Sequence, residues 1–170
     1  IFKYDSEGYL EREEQFAADG SSIGWVAYQY DAHGRVQQQT DARNGTTNFT
    51  YYADGRIKSI TTPDPDASAS GVGNEPQITH FNYSLVAGGG VRTETALPDT
   101  SVMVSIVDPL GRSVLEYGSQ TTPVARTYDY AGRLSTQTTW QNFDPDTGTG
   151  VSGAATTGWI YNPAGLLQEK

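Results

Sequence analysis

Apolar and polar residues alternate along this chain with a period of two. Aromatic residues stand two apart at Phe2 and Tyr4, Tyr28 and Tyr30, Phe49 and Tyr51, Phe81 and Tyr83, and Trp159 and Tyr161. Residues i and i+2 share one face of a strand. Thr, Gln and Ser alternate with apolar residues in the flanking segments, which predicts strands with one buried and one polar face. No stretch carries a helical period. The nearest, LEREEQFAADG from Leu10, reads as a polar strand entering a turn at Asp19-Gly20.

The strands are punctuated by one phrase. It occurs as KYDSEGYLE, YQYDAHGRV, YYADGRIKSI, VDPLGRSVLE, YDYAGRLST and YNPAGLLQE, with glycines at Gly8, Gly34, Gly55, Gly111, Gly132 and Gly165. An interval of 21 residues occurs twice between these glycines, at Gly34–Gly55 and Gly111–Gly132, and marks the basic unit. Asp5, Asp31, Asp108, Asp129 and Asn162 hold the first position, where a short polar side chain accepts a backbone hydrogen bond two residues on. Glycine at the fourth position tolerates the positive φ of a type I turn followed by a bulge. Pro109 and Pro163 fall at the second position, where φ near −65° is wanted. Tyr52 departs from the pattern, and Asp54-Gly55 is expected to make a tighter turn there. After the turns come Val36, Ile57, Val114, Leu134 and Leu167. SLVAGGGVRTET, from Ser84, reads as a further hairpin whose turn is replaced by a Gly88-Gly89-Gly90 loop. Repeated units of this kind gain stability by stacking on one another.

The recurring Tyr-Asp-x-x-Gly-Arg phrase resembles the YD repeats of the RHS/YD-repeat family, which includes bacterial polymorphic toxin shells, shell subunits of insecticidal toxin complexes, and teneurin-like shells. The resemblance implies an all-β chain: stacked antiparallel β-hairpins forming part of a spiralling strip or shell. It implies a structural segment that helps enclose or display a partner or toxin cargo, secreted or at the cell surface as part of a larger bacterial protein. The repeat residues are then Tyr4, Asp5 and Gly8; Tyr30, Asp31, Gly34 and Arg35; Tyr51, Gly55 and Arg56; Asp108, Gly111 and Arg112; Tyr128, Asp129, Gly132 and Arg133; and Tyr161, Asn162 and Gly165. The tyrosines are expected to pack between repeats. Each arginine is expected to reach a carboxylate or a Tyr ring of a neighbouring hairpin, a contact that Tyr9 and Leu166 would lose. Some bacterial members end in a self-cleaving core marked by Pro, four residues, then Asp-Pro-x-Gly-Leu. Here Met103 and Arg112 spoil one such match, and Thr157 and Asn162 the other.

Composition narrows the rest. Hydrophobic residues make up 36%, little for a thick core, while 11 of the aromatic residues are Tyr, whose rings suit half-wet surfaces. The net charge of −9 disfavours nucleic acid, since phosphates call for basic patches. No apolar run reaches the length of a membrane helix. With no cysteine there is no disulfide framework. The chain opens on Ile1 in mid-pattern and is expected to be a piece of a larger protein. It reads as one segment over 1–170, with loop excursions near 61–76 and 144–158. Its partners are expected to be the rest of a shell, or other copies met through open sheet edges.

No cofactor, metal or catalytic residue is expected. His33 and His80 are the only histidines, and no Gly-x-Ser-x-Gly elbow accompanies them. The first-position acids are explained as turn residues, so no carboxylate pair stands out for hydrolysis. Asp144-Pro-Asp-Thr-Gly148 opens like a calcium loop but lacks the later acids, and Asp64-Pro-Asp66 reads likewise as a surface turn. The alternative function is an extracellular adhesion or glycan-binding module on the same scaffold, with Trp25 and Trp140 as the sugar contacts.

Overall fold

The computed structural model describes residues 1–64 and 75–170. Pro65–Asn74, the centre of the excursion expected near 61–76, including Asp66, lie outside the described residues. Every regular element is a strand: β1 (Phe2–Tyr4), β2 (Leu10–Phe16), β3 (Ser22–Tyr30), β4 (Val36–Asp41), β5 (Gly45–Tyr51), β6 (Ile57–Thr62), β7 (Gln77–Leu85), β8 (Val91–Ala96), β9 (Val102–Val107), β10 (Ser113–Gly118), β11 (Thr121–Tyr128), β12 (Leu134–Thr139), β13 (Asn142–Asp144), β14 (Thr149–Ser152), β15 (Ala155–Gly158), β16 (Ile160–Tyr161) and β17 (Leu167–Glu169). The fold is all-β, built of antiparallel hairpins. The described residues group into two units, Ile1–His80 and Phe81–Lys170.

In the first unit β1 to β6 and the start of β7 pair in chain order, each antiparallel to the next. The strand β2, LEREEQF, is the polar strand expected before Asp19-Gly20. One face of this sheet is stitched by polar cross-strand pairs. Gln38 donates to Asn48, and hydroxyls meet at Thr40 with Thr46 and Thr50 with Ser59. Such pairs stand directly opposite across the ladder and add a few tenths to about 1 kcal/mol each.

In the second unit β8 to β12 pair in chain order and β15 follows β12. Here the segment expected as a loop near 144–158 is instead structured. The strands β13 and β14 form their own hairpin, and β15 returns to the sheet edge. The reason is aromatic. Phe143 packs on Tyr117 with ring centroids 4.9 Å apart and on Trp140 at 5.6 Å. Tyr117, under the Phe143 ring, and Val104 are the only apolar side chains among the described residues that are buried. Gly150 faces the Trp140 indole so closely that an added Cβ would collide with its ring nitrogen. Trp159 sits between β15 and β16 rather than in a strand, yet its N–H still donates to Ser135 O at 2.8 Å.

This contact makes a prediction. Gly150→Ala, which has no room, lowers stability by about 1–3 kcal/mol. Gly24→Ala, with open space around its Cβ position, changes it by less than about 0.5 kcal/mol. Urea unfolding followed by Trp fluorescence measures both; equal, small effects would contradict the packing described for Trp140.

Candidate functional site

The repeat phrase is realised as one turn geometry. In each case the fourth residue's N–H donates to the first residue's carbonyl, and the first residue's N–H donates to the fifth residue's carbonyl. Six examples are the expected ones, beginning at Asp5, Asp31, Tyr52, Asp108, Asp129 and Asn162. Three more begin at Ala17, Val86 and Leu97. The fourth residue has positive φ throughout: glycine eight times, and Thr100 at φ 68° in the ninth. Tyr52 therefore does not begin a tighter turn. The Gly88-Gly89-Gly90 segment does not replace the turn either, since Gly89 holds the usual fourth position.

Two acid placements serve this geometry. At the first position, Oδ1 of Asp5, Asp31, Asp108 and Asp129 accepts from the backbone N–H groups of the third and fifth residues at 2.8–3.0 Å. Asn162 accepts from the fifth alone. At the third position, Asp19, Asp54 and Asp99 accept from the fifth residue's N–H. Turns that begin with Ala17, Tyr52 or Leu97 thus still carry a carboxylate on the same donor.

The strand after most of these turns carries a second irregularity. Opposite Tyr30 and Gln29 stand Val36 and Gln38, so Gln37 has no partner. The same skip occurs at Glu11, Lys58, Ser135 and Gln168, three residues past the glycine in each case. It ends the ladder to the next hairpin as well: pairing toward the following strand reaches Arg12, Gln38, Leu115 and Thr136 and stops. The carbonyl two residues past the glycine is then left without a ladder partner. The tyrosine before the next turn takes it. Tyr30 Oη donates to Leu10 O at 2.9 Å, Tyr51 to Val36 O at 2.6 Å, Tyr128 to Ser113 O at 2.7 Å and Tyr161 to Leu134 O at 2.9 Å. Where β8 and β9 pair without a skip, from Ala96–Val102 up to Val91–Val107, a valine, Val107, stands in the tyrosine's place.

The arginine completes the clamp. Arg35, Arg112 and Arg133 each donate Nε to the first-position aspartate of their own turn at 2.7–2.8 Å and pair with it through a second nitrogen at 2.6–2.8 Å. The same guanidiniums lie over the tyrosine of the next repeat: Arg35 over Tyr51 at 4.4 Å, Arg112 over Tyr128 at 4.6 Å and Arg133 over Tyr161 at 4.4 Å. The carboxylate reached is the turn's own and the ring is the neighbour's, so one arginine fixes both. Arg56 pairs with Asp54, at the third position of its own turn. Tyr9 does not lose the contact. Its ring stacks on Tyr30 at 4.8 Å and lies over Gly34, where an added Cβ would fall 2.5 Å from its hydroxyl. Gly34 is required by this close approach as well as by its φ. Tyr4, before the first turn, is exposed.

The remaining candidate residues fall in turns, strands and the aromatic cluster. Trp25 lies under the Arg12 guanidinium, 4.4 Å from the ring centroid. Trp140 belongs to the aromatic cluster below β13 and β14. His33 occupies the third position of its turn, and His80 stands opposite Ser59. Asp144 accepts from Asp146 and Thr147 within a tight turn.

The clamp holds its carboxylates ionised. The Arg35 side chain, followed by backbone N–H groups, lowers Asp31 from 3.8 to about 2. The arginine side chain likewise lowers Asp108, as Arg56 lowers Asp54. At Asp129 desolvation pulls upward, and the donors from Arg133 outweigh it, so the net direction is down. Stability from these groups is complete above the unfolded value of 3.8 and is lost as pH falls toward about 2. Unfolding midpoints should therefore hold steady down to about pH 4 and then drop. The triple variant Asp31→Asn, Asp108→Asn, Asp129→Asn should start lower and show a flatter acid limb. Parallel acid limbs in chemical denaturation would contradict the assignment.

The chain can now be set beside known proteins. The RHS repeat family matches residues 30–66, a span that begins at Tyr30 of one clamp and includes Arg35, Tyr51, Gly55 and Arg56. No curated protein matches the chain. Among solved structures, a chain of the crystal structure of TcdB2-TccC3-TEV is similar at 13% identity and a TM-score of 0.37, over 98% of this chain and 11% of that one. This chain thus spans about a tenth of the length of that neighbour. Residues 30–66 thus carry an RHS repeat, and the phrase of that repeat recurs outside the matched span, from Tyr4 to Gly165, on one turn geometry.

Proposed function

We propose that this chain is a structural wall segment of an RHS-type β-shell, which helps enclose or display a partner or toxin cargo. The observation that carries the reading is the clamp. Aspartates of the repeat turns, the obvious candidates for acid–base chemistry, spend their oxygens on backbone N–H groups and on arginine. Tyrosine hydroxyls spend their protons on backbone carbonyls. Both are committed to holding hairpins side by side, which is work for a wall and leaves these groups no part in a reaction.

A wall also explains the near absence of a buried interior. Most side chains in the strands are half-buried or exposed, as expected of a single sheet with two accessible faces. A shell built from such sheet would present one face to a lumen and the other to solvent.

Negative-stain electron microscopy of the full-length protein that carries this segment tests the proposal. A hollow particle is expected, with cargo inside that resists added protease until the shell is acid-opened. A solid or fully extended particle with freely digested cargo would overturn it.

A further inference from the structure

The turn between β4 and β5 is built differently from the repeat turns. Counted from Asp41, its glycine stands fifth, not fourth. Ala42, Arg43, Asn44 and Gly45 are all exposed. Asp41 Oδ1 caps the turn, accepting from the N–H groups of Arg43 at 2.8 Å and Asn44 at 2.9 Å. Arg43 is tied down as well, its Nη2 donating to Ile23 O at 3.1 Å. Asn44 takes part through its backbone N–H alone, and its side-chain amide has no partner among the described residues. The glycine after it is fixed by the fold. Its φ is 80°, and an added Cβ would stand 3.0 Å from Pro63 Cγ.

An exposed asparagine followed by glycine is a reactive pair in water. The glycine nitrogen attacks the side-chain carbonyl carbon. A new C–N bond forms, the bond to the amide nitrogen breaks, and ammonia leaves with the proton from the glycine nitrogen. The product is a five-membered succinimide. Water then opens either ring carbonyl, giving aspartate or isoaspartate. The net change is loss of ammonia and gain of water, and no other reactant is needed. Glycine favours the attack because no side chain screens its nitrogen or restricts its backbone.

The other described candidates are protected. Asn48, Asn82 and Asn142 lie in strands and precede Phe49, Tyr83 and Phe143. Asn48 also accepts from Gln38, and Asn142 donates to Ser152. Asn162 precedes Pro163, whose nitrogen carries no proton. Asp19-Gly20 and Asp54-Gly55 could form the same ring, but both partners are engaged there. Asp19 accepts from Ser21, and Asp54 pairs with Arg56. The N–H groups of Gly20 and Gly55 donate to Ala17 O and Tyr52 O at 3.0 Å.

We infer that Asn44 is a modification site of the folded chain, where the Asn44-Gly45 pair converts itself through a succinimide to aspartate and isoaspartate. The reaction puts a second carboxylate in the turn beside Asp41. Isoaspartate also lengthens the backbone by a methylene next to the Asp41–Gly45 pair, at the end of the β4–β5 ladder. The fold retains the reactive pair because the turn and Pro63 leave no room for another residue at Gly45.

Incubation of the folded 170-residue chain in mildly alkaline buffer, with peptide mapping by electron-transfer fragmentation, tests the inference. Asn44 should gain the amide-to-acid mass change at least about tenfold faster than Asn48, Asn82 or Asn142, a barrier difference of about 1.4 kcal/mol. Both aspartate and isoaspartate should be found. Asn44→Gln, whose side chain would have to close a larger ring, should leave position 44 unchanged over the same time. The inference is overturned if Asn44 stays intact in the folded chain, including the case where only the urea-unfolded chain converts, which would show that the turn holds the amide away from the Gly45 nitrogen. It is also overturned if Asn48, Asn82 or Asn142 converts first, or if aspartate forms without isoaspartate, which would mark direct hydrolysis.

Discussion

A sheet with almost no interior must be held together within its own plane, and the Asp–Arg–Tyr clamp is the contact that does this here. Each of its parts is weak alone. A surface ion pair contributes about 0–1 kcal/mol, a cation over a partly exposed ring about 0.5–1 kcal/mol, and a neutral hydrogen bond about 1 kcal/mol. Their value lies in coincidence. The arginine that orders its own turn also covers the tyrosine of the next, and that tyrosine satisfies the carbonyl which the skipped residue has freed. A change at one residue is therefore felt in two hairpins.

The clamp also accounts for the irregular pairing. A hairpin that closes through a bulged turn twists more strongly than a plain ladder, and the strands of successive hairpins part near the turns. The unpaired carbonyl at Leu10, Val36, Ser113 or Leu134 would be costly if left without a donor. A tyrosine is long enough to bridge the gap, and its apolar ring gives the arginine a surface to rest on. Between β8 and β9, where no gap opens, the same position holds Val107.

Much of this was legible in the sequence because the turn imposes residue types. Asp or Asn first and Gly fourth follow from backbone geometry, so Asp31-Gly34 and Asp129-Gly132 read directly as chain reversals. The turn at Leu97 did not, because a leucine holds the first position and Thr100 the fourth. Its signal was Pro98-Asp99, with the acid moved to the third position, as at Asp19 and Asp54. The roles of Arg35, Arg112 and Arg133 were half legible. A ring on the next repeat follows from the recurrence, but pairing with the arginine's own turn depends on side-chain reach that spacing does not encode. The hairpin at 142–152 was hidden by its Gly, Thr and Ser content. Only Trp140 and Phe143 marked it, and what they cover, Tyr117, lies far away in sequence.

The most direct test of the clamp is a double-mutant cycle between Arg112 and Tyr128 in urea unfolding. The singles Arg112→Met and Tyr128→Leu and their combination separate the coupling from the loss of the Asp108 pair and of the bond to Ser113. A coupling of at least about 0.5 kcal/mol, the lower bound for residues in contact, is the expected result. Strict additivity would show that the two hairpins are held together by their ladders alone, and would contradict the account.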